Sequence, residues 1–598
     1  MNDPQQQFRP ARRSFLTGLA ATGLAATVDS AARAGLAKAK SGSTRNPDLG
    51  PNVLIVDPSM PRAIVQERLD AIFRSMERAH FTDARHAVLF KPGRYDLDVN
   101  IGFFTQVAGL GALPGDVVID GHVHAEADWA KGVALVNFWR SVENLEIRPK
   151  DGSDRWAVSQ AAPYRRIHLR GDLVLDDGGW SSGGFMADCR IDGVVRSGTQ
   201  QQWFTRNSTI RAWSGANWNM MFMGTAGAPA TSFPDPPYTN IPTVSRMRDK
   251  PFLHVAAAGD WQVFVPAVRR EAEGASWATG LPSGRSIPLS RFFIARPGMS
   301  ALQINAALRR GLHLLLTPGI YSIDRPLRID RANTIVLGLG LATLLAKGGS
   351  KVLTVADVPG VVVAGLLIDA GEILSPVLME IGPRGSRRDH RADPISLSDI
   401  FFRVGGANIG NATTCLEINS HHVIGDHLWI WRADHGDRAS GRVHVGWSES
   451  TGDQGLVVNG DDVTLCALFV EHFQKYQTLW NGERGRTYFY QNELPYDPPS
   501  QAAYMAGTTR GWAAYKVADH VDDHQAIAMG VYANFTADPT IVLESAIEAP
   551  DKPGVSFANI TTISLGGGKG TIAHIVNAAG AAARPGAIKQ ILVRYPVP

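Results

Sequence analysis

Two segments of the chain repeat one another. His86-Ala-Val-Leu-Phe-Lys-Pro92-Gly-Arg-Tyr95 leads into Val107-Ala-Gly109-Leu-Gly111, and His313-Leu-Leu-Leu-Thr-Pro318-Gly-Ile-Tyr321 leads into Val336-Leu-Gly338-Leu-Gly340. The copies are offset by 226 residues at the proline and 229 at the glycine. Each is preceded by apolar residues at helical spacing, over 61–80 and 298–311. A short helix covering the open end of a stack of strands, followed by a tight Pro-Gly turn and Gly-punctuated strands, is how a parallel solenoid begins. Two beginnings predict an all-β chain of two tandem right-handed parallel β-helices of the pectate-lyase-like type, each with a short N-terminal capping helix. The first is expected over 51–285 and the second over 286–598.

Composition agrees with many short strands and turns: the 598 residues include 61 Gly and 35 Pro. Short apolar runs recur roughly every 20 to 26 residues, close to one coil of a solenoid. The Pro-rich stretch 227–251 and the stretch 267–290 read as linkers or wrapping loops. Ahead of the fold, Arg12-Arg13-Ser14-Phe15-Leu16, a Gly- and Ala-rich run and Ala32-Arg33-Ala34 read as a twin-arginine export signal over 1–34. Residues 35–50 read as a disordered lead-in. The apolar run is too short to span a bilayer, so no stable membrane insertion is expected after signal removal. Lys+Arg 59 against Asp+Glu 56 gives no basic footprint for nucleic acid, which favours a neutral partner. Cys189, Cys415 and Cys466 are too few and too scattered for a disulfide framework or a zinc cluster; no metal and no cofactor are expected.

Chemistry concentrates between Glu471 and Pro499. Glu471 and Glu493 each close a short apolar run and lie 22 residues apart. On successive coils such positions stack at the inter-strand spacing of about 4.8 Å. Phe473, Tyr476, Trp480, Tyr488, Tyr490 and Tyr496 offer flat faces for sugar rings, and Gln474, Gln477, Gln491 and Asn492 offer amides for hydroxyls. Two carboxyl groups beside aromatic platforms point to glycoside hydrolysis. Trp431, Asp434 and His435 join them as groups able to stack on or hydrogen-bond a terminal sugar. The run Gln200-Gln201-Gln202 either fills a turn or aims amides at a cleft.

In order along nearly the whole chain after the leader stand the duplicated starts, Ser182-Gly-Gly-Phe185, Gln201-Gln202 with Arg206-Asn207, and Trp431-Arg-Ala-Asp434-His435. Glu471-His-Phe-Gln-Lys-Tyr476-Gln477 and Gln491-Asn-Glu493-Leu-Pro-Tyr496 follow. This set resembles the twin β-helix exo-β-1,3-glucanases (laminarinases) of glycoside hydrolase family 55. The resemblance implies that Glu493 is the general acid, that Glu471 places and activates water, that Gln201 or Gln202 also contacts this water, and that cleavage is exo-acting and inverting. The chain departs from the family pattern in Gln491-Asn492-Glu493, where Thr is usual at the middle position, and in Gln200, where Asn is usual. The Trp480-Asn-Gly-Glu-Arg-Gly-Arg486 loop also differs in character. A hydroxyl ligand of the water is expected a coil after Gln202, with Ser214 as the candidate.

Two other classes fit parts of this pattern. A polysaccharide lyase would need an acidic substrate and stacked aspartates for calcium, for which Asp461-Asp462 is the candidate pair. A non-catalytic glycan-binding solenoid would keep the aromatics without needing paired carboxylates. The expected partner is a neutral glycan, and the expected state a monomer outside the cytoplasmic membrane.

Overall fold

The computed structural model describes residues 46–437 and 440–596; the twin-arginine segment, its cleavage pattern and most of the 35–50 stretch lie outside the described residues. The end of that stretch belongs to the fold: Leu49 is buried and Asp48 pairs with Arg296 at 2.6 Å. An apolar side chain with a core to enter overrides the polar composition around it.

Both solenoids are present. In the first, parallel strands climb from Val53–Val56 through His86–Phe90, Thr105–Gly109, Arg140–Arg148 and Pro163–Leu169 to Gly184–Ala187, Gln202–Arg206, Asn219–Met223 and Tyr238–Ile241. In the second, one sheet climbs from Phe292–Ala295 through Ile424–Arg432, Thr464–Glu471 and Gly485–Glu493 to Gly554–Ser564, and a second sheet stacks from Leu327–Ile329 to Thr571–Val576. The antiparallel strand Lys589–Tyr595 covers the last rung. The capping helices are Arg62–Met76, which buries Val65, Leu69 and Met76, and Ala301–Arg309, which buries Ile304 and Leu308. The second begins with a capping box in which Ser300 Oγ accepts from Gln303 N and Gln303 reaches back to Ser300 N.

The segments expected as linkers hold further sheet. Phe252–Val255, Trp261–Pro266 and Gly284–Pro288 form a three-stranded antiparallel sheet, and Val244–Met247 pairs with Arg269–Ala272. Alternation explains it: Trp261, Val263 and Val265 turn one face into a core shared with Leu89 and Leu110 of the first helix and Leu315 and Leu337 of the second.

Inside the long strands of the second helix one residue per coil is left-handed. Asp399, His427, Ala467, Phe489, Ala528 and Asn559 have φ between 51° and 68°, and the strand register steps over each of them. The bends stack, so each strand turns a corner at the same level and presents its two limbs to different surroundings. One surface so formed packs on the first helix, where Phe138 and Trp139 meet Trp429 and Trp431.

Beside this aromatic contact lies a buried ionic cluster. Arg165 reaches across to Asp399 at 2.7 Å and Asp426 at 2.8 Å, and Arg206 binds Asp426 and Asp249 at 2.7 Å each. Lys250 joins Glu143 to Asp399, and His427 Nδ1 lies 2.9 Å from Asp399. Burial alone would raise both aspartates, but Arg165 and Lys250 hold Asp399 well below the ordinary carboxylate value of 3.8, and Arg206 and Arg165 hold Asp426 below it. Because these folded-state values are depressed, the stabilisation they give is present above the unfolded value and is lost as pH falls through the folded ones. We expect Asp426→Ala, which takes one of two carboxylate partners from each of two buried guanidinium groups, to destabilise the protein by about 3 kcal/mol. The check is the denaturant midpoint at neutral pH; a change under about 1 kcal/mol would mean that the cluster does not hold the helices together.

Candidate active site

Glu471 and Glu493 end adjacent parallel strands. Phe469 pairs with Gln491, which sets the two glutamates at the same level, and His472 N donates to Glu493 O at 2.8 Å. The row continues both ways, since Trp431 pairs with Glu471 and Glu493 with Tyr532. Facing it on the first helix is a second row, Gln160, Ser182, Gln201 and Trp218. Gln160 Nε2 donates to Ser182 Oγ at 2.8 Å, Gln201 N donates to Ser181 O at 2.9 Å, and Trp218 N donates to Gln201 O at 2.8 Å. Gly184 permits this path: a Cβ there would lie 2.2 Å from the Trp203 ring.

The rows are joined at Glu471. Its Oε1 accepts from Gln160 Nε2 at 2.9 Å and its Oε2 from Trp429 Nε1 at 2.8 Å. The amide of Gln160 has two protons, and its two short contacts use both. Ser182 therefore keeps its own hydroxyl proton and a lone pair for another partner. Gln491, fully buried, touches Gln160 and reaches Glu493 Oε1 at 3.4 Å. Tyr496 donates its hydroxyl to the other oxygen of Glu493.

Glu471 is 3% exposed, whereas Glu493 is half-buried and is the more open of the pair. Burial raises both carboxyl groups above the ordinary value, and the charge of Glu493 pushes Glu471 up further. Two buried carboxyls this close titrate as a unit, and the first proton they share stays on at pH values where an ordinary glutamate has lost it. The neighbours decide where it resides. Trp429 and Gln160 present N–H groups to Glu471 and favour its carboxylate, while the Tyr496 hydroxyl can donate to or accept from Glu493 and so tolerates the acid. Asp434 adds a negative charge that raises both glutamates. Burial would raise Asp434 as well, but His435 and His472 hold it far below the ordinary value; His435 Nδ1 lies 2.8 Å away.

The sequence-derived candidates divide. Glu471, Glu493, Gln491 and Tyr496 meet at one point, with Asp434 and His435 behind His472. Gln201 stands in the facing row. Gln202 is turned aside: it donates to Ser182 O and accepts from Tyr532 OH at 2.5 Å, so it clamps the rows together from behind. Trp431 is buried between Trp429, at 5.0 Å, and Phe138, and backs the site without exposing a face. Four candidates lie elsewhere. Trp480 is fully buried in the interior of the second helix between Tyr515 and His524. Gln477 fastens its own loop through Phe473 N and O. Tyr476 donates to Glu548 and packs against Trp512 on the other sheet. Ser214 is exposed at the end of Thr209–Ser214. Corner residues of a solenoid fill the turn before they reach a cleft, and an indole finds more apolar surface inside than outside. Gln160 is the group that the sequence did not single out, and Ser182 entered only as the start of the Ser182–Phe185 motif with no role, although the two are also 22 residues apart.

Residues 292–493 match the model of the LAM55 pectate lyase-like domain, which ends at Glu493. The chain is 50% identical over 533 residues to an exo-β-1,3-glucanase of Streptomyces sp. (strain SirexAA-E / ActE), covering 89% of this chain and 86% of the relative. The chain belongs to glycoside hydrolase family 55. The structure of sacteLam55A from Streptomyces sp. SirexAA-E superposes with a TM-score of 0.89 at 49% identity, covering 92% of this chain and 99% of that one. A glutamate-to-alanine variant of sacteLam55A, solved in complex with glucose, gives the same figures. The family assignment agrees with the motif resemblance, and the twin parallel β-helix with the fold expected from the duplication.

Because Asp434 raises the glutamate pair, we expect Asp434→Asn to move the alkaline limb of the kcat/KM profile of this family 55 chain to lower pH. A profile with that limb unmoved, or moved to higher pH, would remove Asp434 from the electrostatics of the pair.

Proposed function

We propose that this chain hydrolyses a β-1,3-linked glucan from a chain end with inversion of configuration, using Glu493 as general acid and Glu471 with Gln160 and Ser182 to hold and activate the water. The observation that carries the reading is the cross-interface contact of Gln160 with both Ser182 and Glu471. Three polar groups converge there one rung from a second carboxyl group. Inversion needs a protonated acid on one side of the anomeric carbon and an activated water on the other, and these rows supply one of each. The carboxylate of Glu471 takes a water proton, the Ser182 hydroxyl orients the water, and Glu493 gives its proton to the leaving oxygen. The 50% identity to an exo-β-1,3-glucanase supports the linkage and the exo action. The aromatic block of His80, Phe138 and Trp431 beside Asp434 and His435 supports a pocket closed at one end. The twin-arginine segment supports export as a folded protein.

We expect Glu493→Gln to keep the fold but to lower turnover of β-1,3-linked oligosaccharides by about 10² to 10⁴. Aryl glucosides with good leaving groups, which need less protonation, should lose much less. Glu471→Gln should impair both substrates, because both need the water. Near-wild-type hydrolysis of an oligosaccharide by folded Glu493→Gln would rule out the acid assignment. Unsaturated products would point to a lyase instead.

A further inference from the structure

Over the whole chain Lys and Arg nearly balance Asp and Glu, 59 against 56, but the balance is not kept locally. Where the three-stranded antiparallel sheet lies against the first rungs of the second helix, basic side chains gather without carboxylates to pair them. His313 is at the centre. It opens the strand His313–Leu316 beside Phe292 of the strand before, and the two rings are 4.9 Å apart. Arg291 stands immediately ahead of Phe292. Arg331 comes from the turn before Ile335 and rests on Gly311, where a Cβ would overlap its guanidinium group. Arg285 lies opposite Val265, a residue of the shared core, so it leaves the sheet on the inner face and donates across to Asn333 Oδ1 at 3.4 Å.

These groups have little to bind within the protein. Arg285, Arg291 and Arg331 are exposed, and none of them forms an ion pair among the described residues. The carboxylates of the neighbouring turns are already engaged, Asp330 with Arg328 at 3.3 Å, Asp357 with His390 at 2.6 Å and Asp393 with Arg248. Ile335 N donates to His313 Nδ1 at 3.1 Å, which makes that nitrogen an acceptor and leaves the ring proton on Nε2. Burial and the guanidinium groups of Arg285, Arg291 and Arg331 push His313 down to about 4, so the ring is neutral near pH 7. Like charges gathered at one place repel, and an anion that enters among them relieves the repulsion as well as accepting hydrogen bonds.

The number of donors selects the anion. A carboxylate offers two oxygens and is satisfied by one guanidinium fork, whereas a phosphate group offers three acceptor oxygens and up to two negative charges to donors arriving from several sides. We propose that Arg285, Arg291, Arg331 and the Nε2 proton of His313 form a binding site for a phosphate group, either free phosphate or the monoester of a sugar. The site lies five strands before the one that ends at Glu471, roughly 24 Å along the stack at about 4.8 Å per rung. It is thus separate from the two glutamates and independent of the reaction proposed for them.

Equilibrium dialysis of the full chain against radiolabelled inorganic phosphate, at neutral pH and constant ionic strength, tests the site. We expect one saturable site, weakened about fivefold or more by each of Arg285→Ala, Arg291→Ala and Arg331→Ala. His313→Asn, which keeps an acceptor for Ile335 N but lacks the Nε2 proton, should weaken it likewise. Arg94→Ala removes an exposed guanidinium group paired with Asp120 elsewhere and should leave binding unchanged. The arginines are on the surface, so their variants carry the comparison if His313→Asn does not fold. Displacement of the label by glucose 6-phosphate at lower concentration than by unlabelled phosphate would identify the ligand as a sugar monoester, and displacement only at higher concentration as free phosphate. No saturable binding up to about 10 mM phosphate, or equal affinity in the wild type and all three arginine variants, overturns the site.

Discussion

Everything at the cleft depends on two solenoids staying docked, and the docking is held by buried charge. Arg165 and Arg206 leave the first helix to meet Asp399 and Asp426 of the second, with Lys250 and Asp249 closing the set. Taking these ions out of water is costly, and an apolar replacement of equal volume would serve adhesion as well. What ion pairs add is discrimination. A guanidinium fork satisfied by two carboxylates at short distances has no comparable alternative a rung away, whereas aromatic packing such as that of Trp139 on Trp429 has many near-equivalents. The cluster thus fixes the level at which Gln160 meets Glu471.

The stacked left-handed residues are the second requirement. An L-residue in that conformation costs on the order of 1 kcal/mol, yet here the column includes Phe489, His427 and Ala467. Hydrogen bonding along the sheet and burial on both sides of the corner offset the strain. The corner lets one strand serve two purposes. Its first limb carries Asp426 to the ion cluster, and its second carries Trp429 and Trp431 to the aromatic interface and, two coils on, Glu493 to the cleft.

How much of this could be read from the sequence follows from how local each signal is. The duplicated Pro-Gly-x-Tyr starts are local, and they located both solenoids and both capping helices. The 22-residue interval from Glu471 to Glu493 is also a property of one helix, so the stacked pair was legible. Gln160 and Ser182 share the same interval but gain meaning only from the facing helix, whose docking no sequence spacing records. The left-handed corners fall on residues that carry no glycine signal, so the inward or outward direction of each neighbour was concealed. Trp480 read as a platform for a different reason: its strand, Thr478–Trp480, is too short for alternation to show that the indole turns inward. The glutamine triplet separates into three functions. Gln200 fills a turn through Val158 O and Leu175 O, Gln201 continues the row of Gln160 and Ser182 through backbone bonds to Ser181 and Trp218, and Gln202 clamps Tyr532.

From the site onward the contacts between the solenoids advance in step: Gln160 with Glu471, Gln202 with Tyr532, Asn219 with Asn559. They behave like the teeth of two meshed racks. Loops between coils are free to lengthen, because they leave the count of rungs unchanged. The gain or loss of a whole coil just beyond Gln160 or Glu471 in one solenoid would carry the rest of its row about 4.8 Å past the other and set Gln202 one rung away from Tyr532. Such a change survives only if the partner solenoid changes by the same count. Beyond Gln160 and Glu471 the halves of this molecule are therefore bound to a common tally of coils, whereas before that contact the first takes two coils from Gln106 and the second four from Gly340.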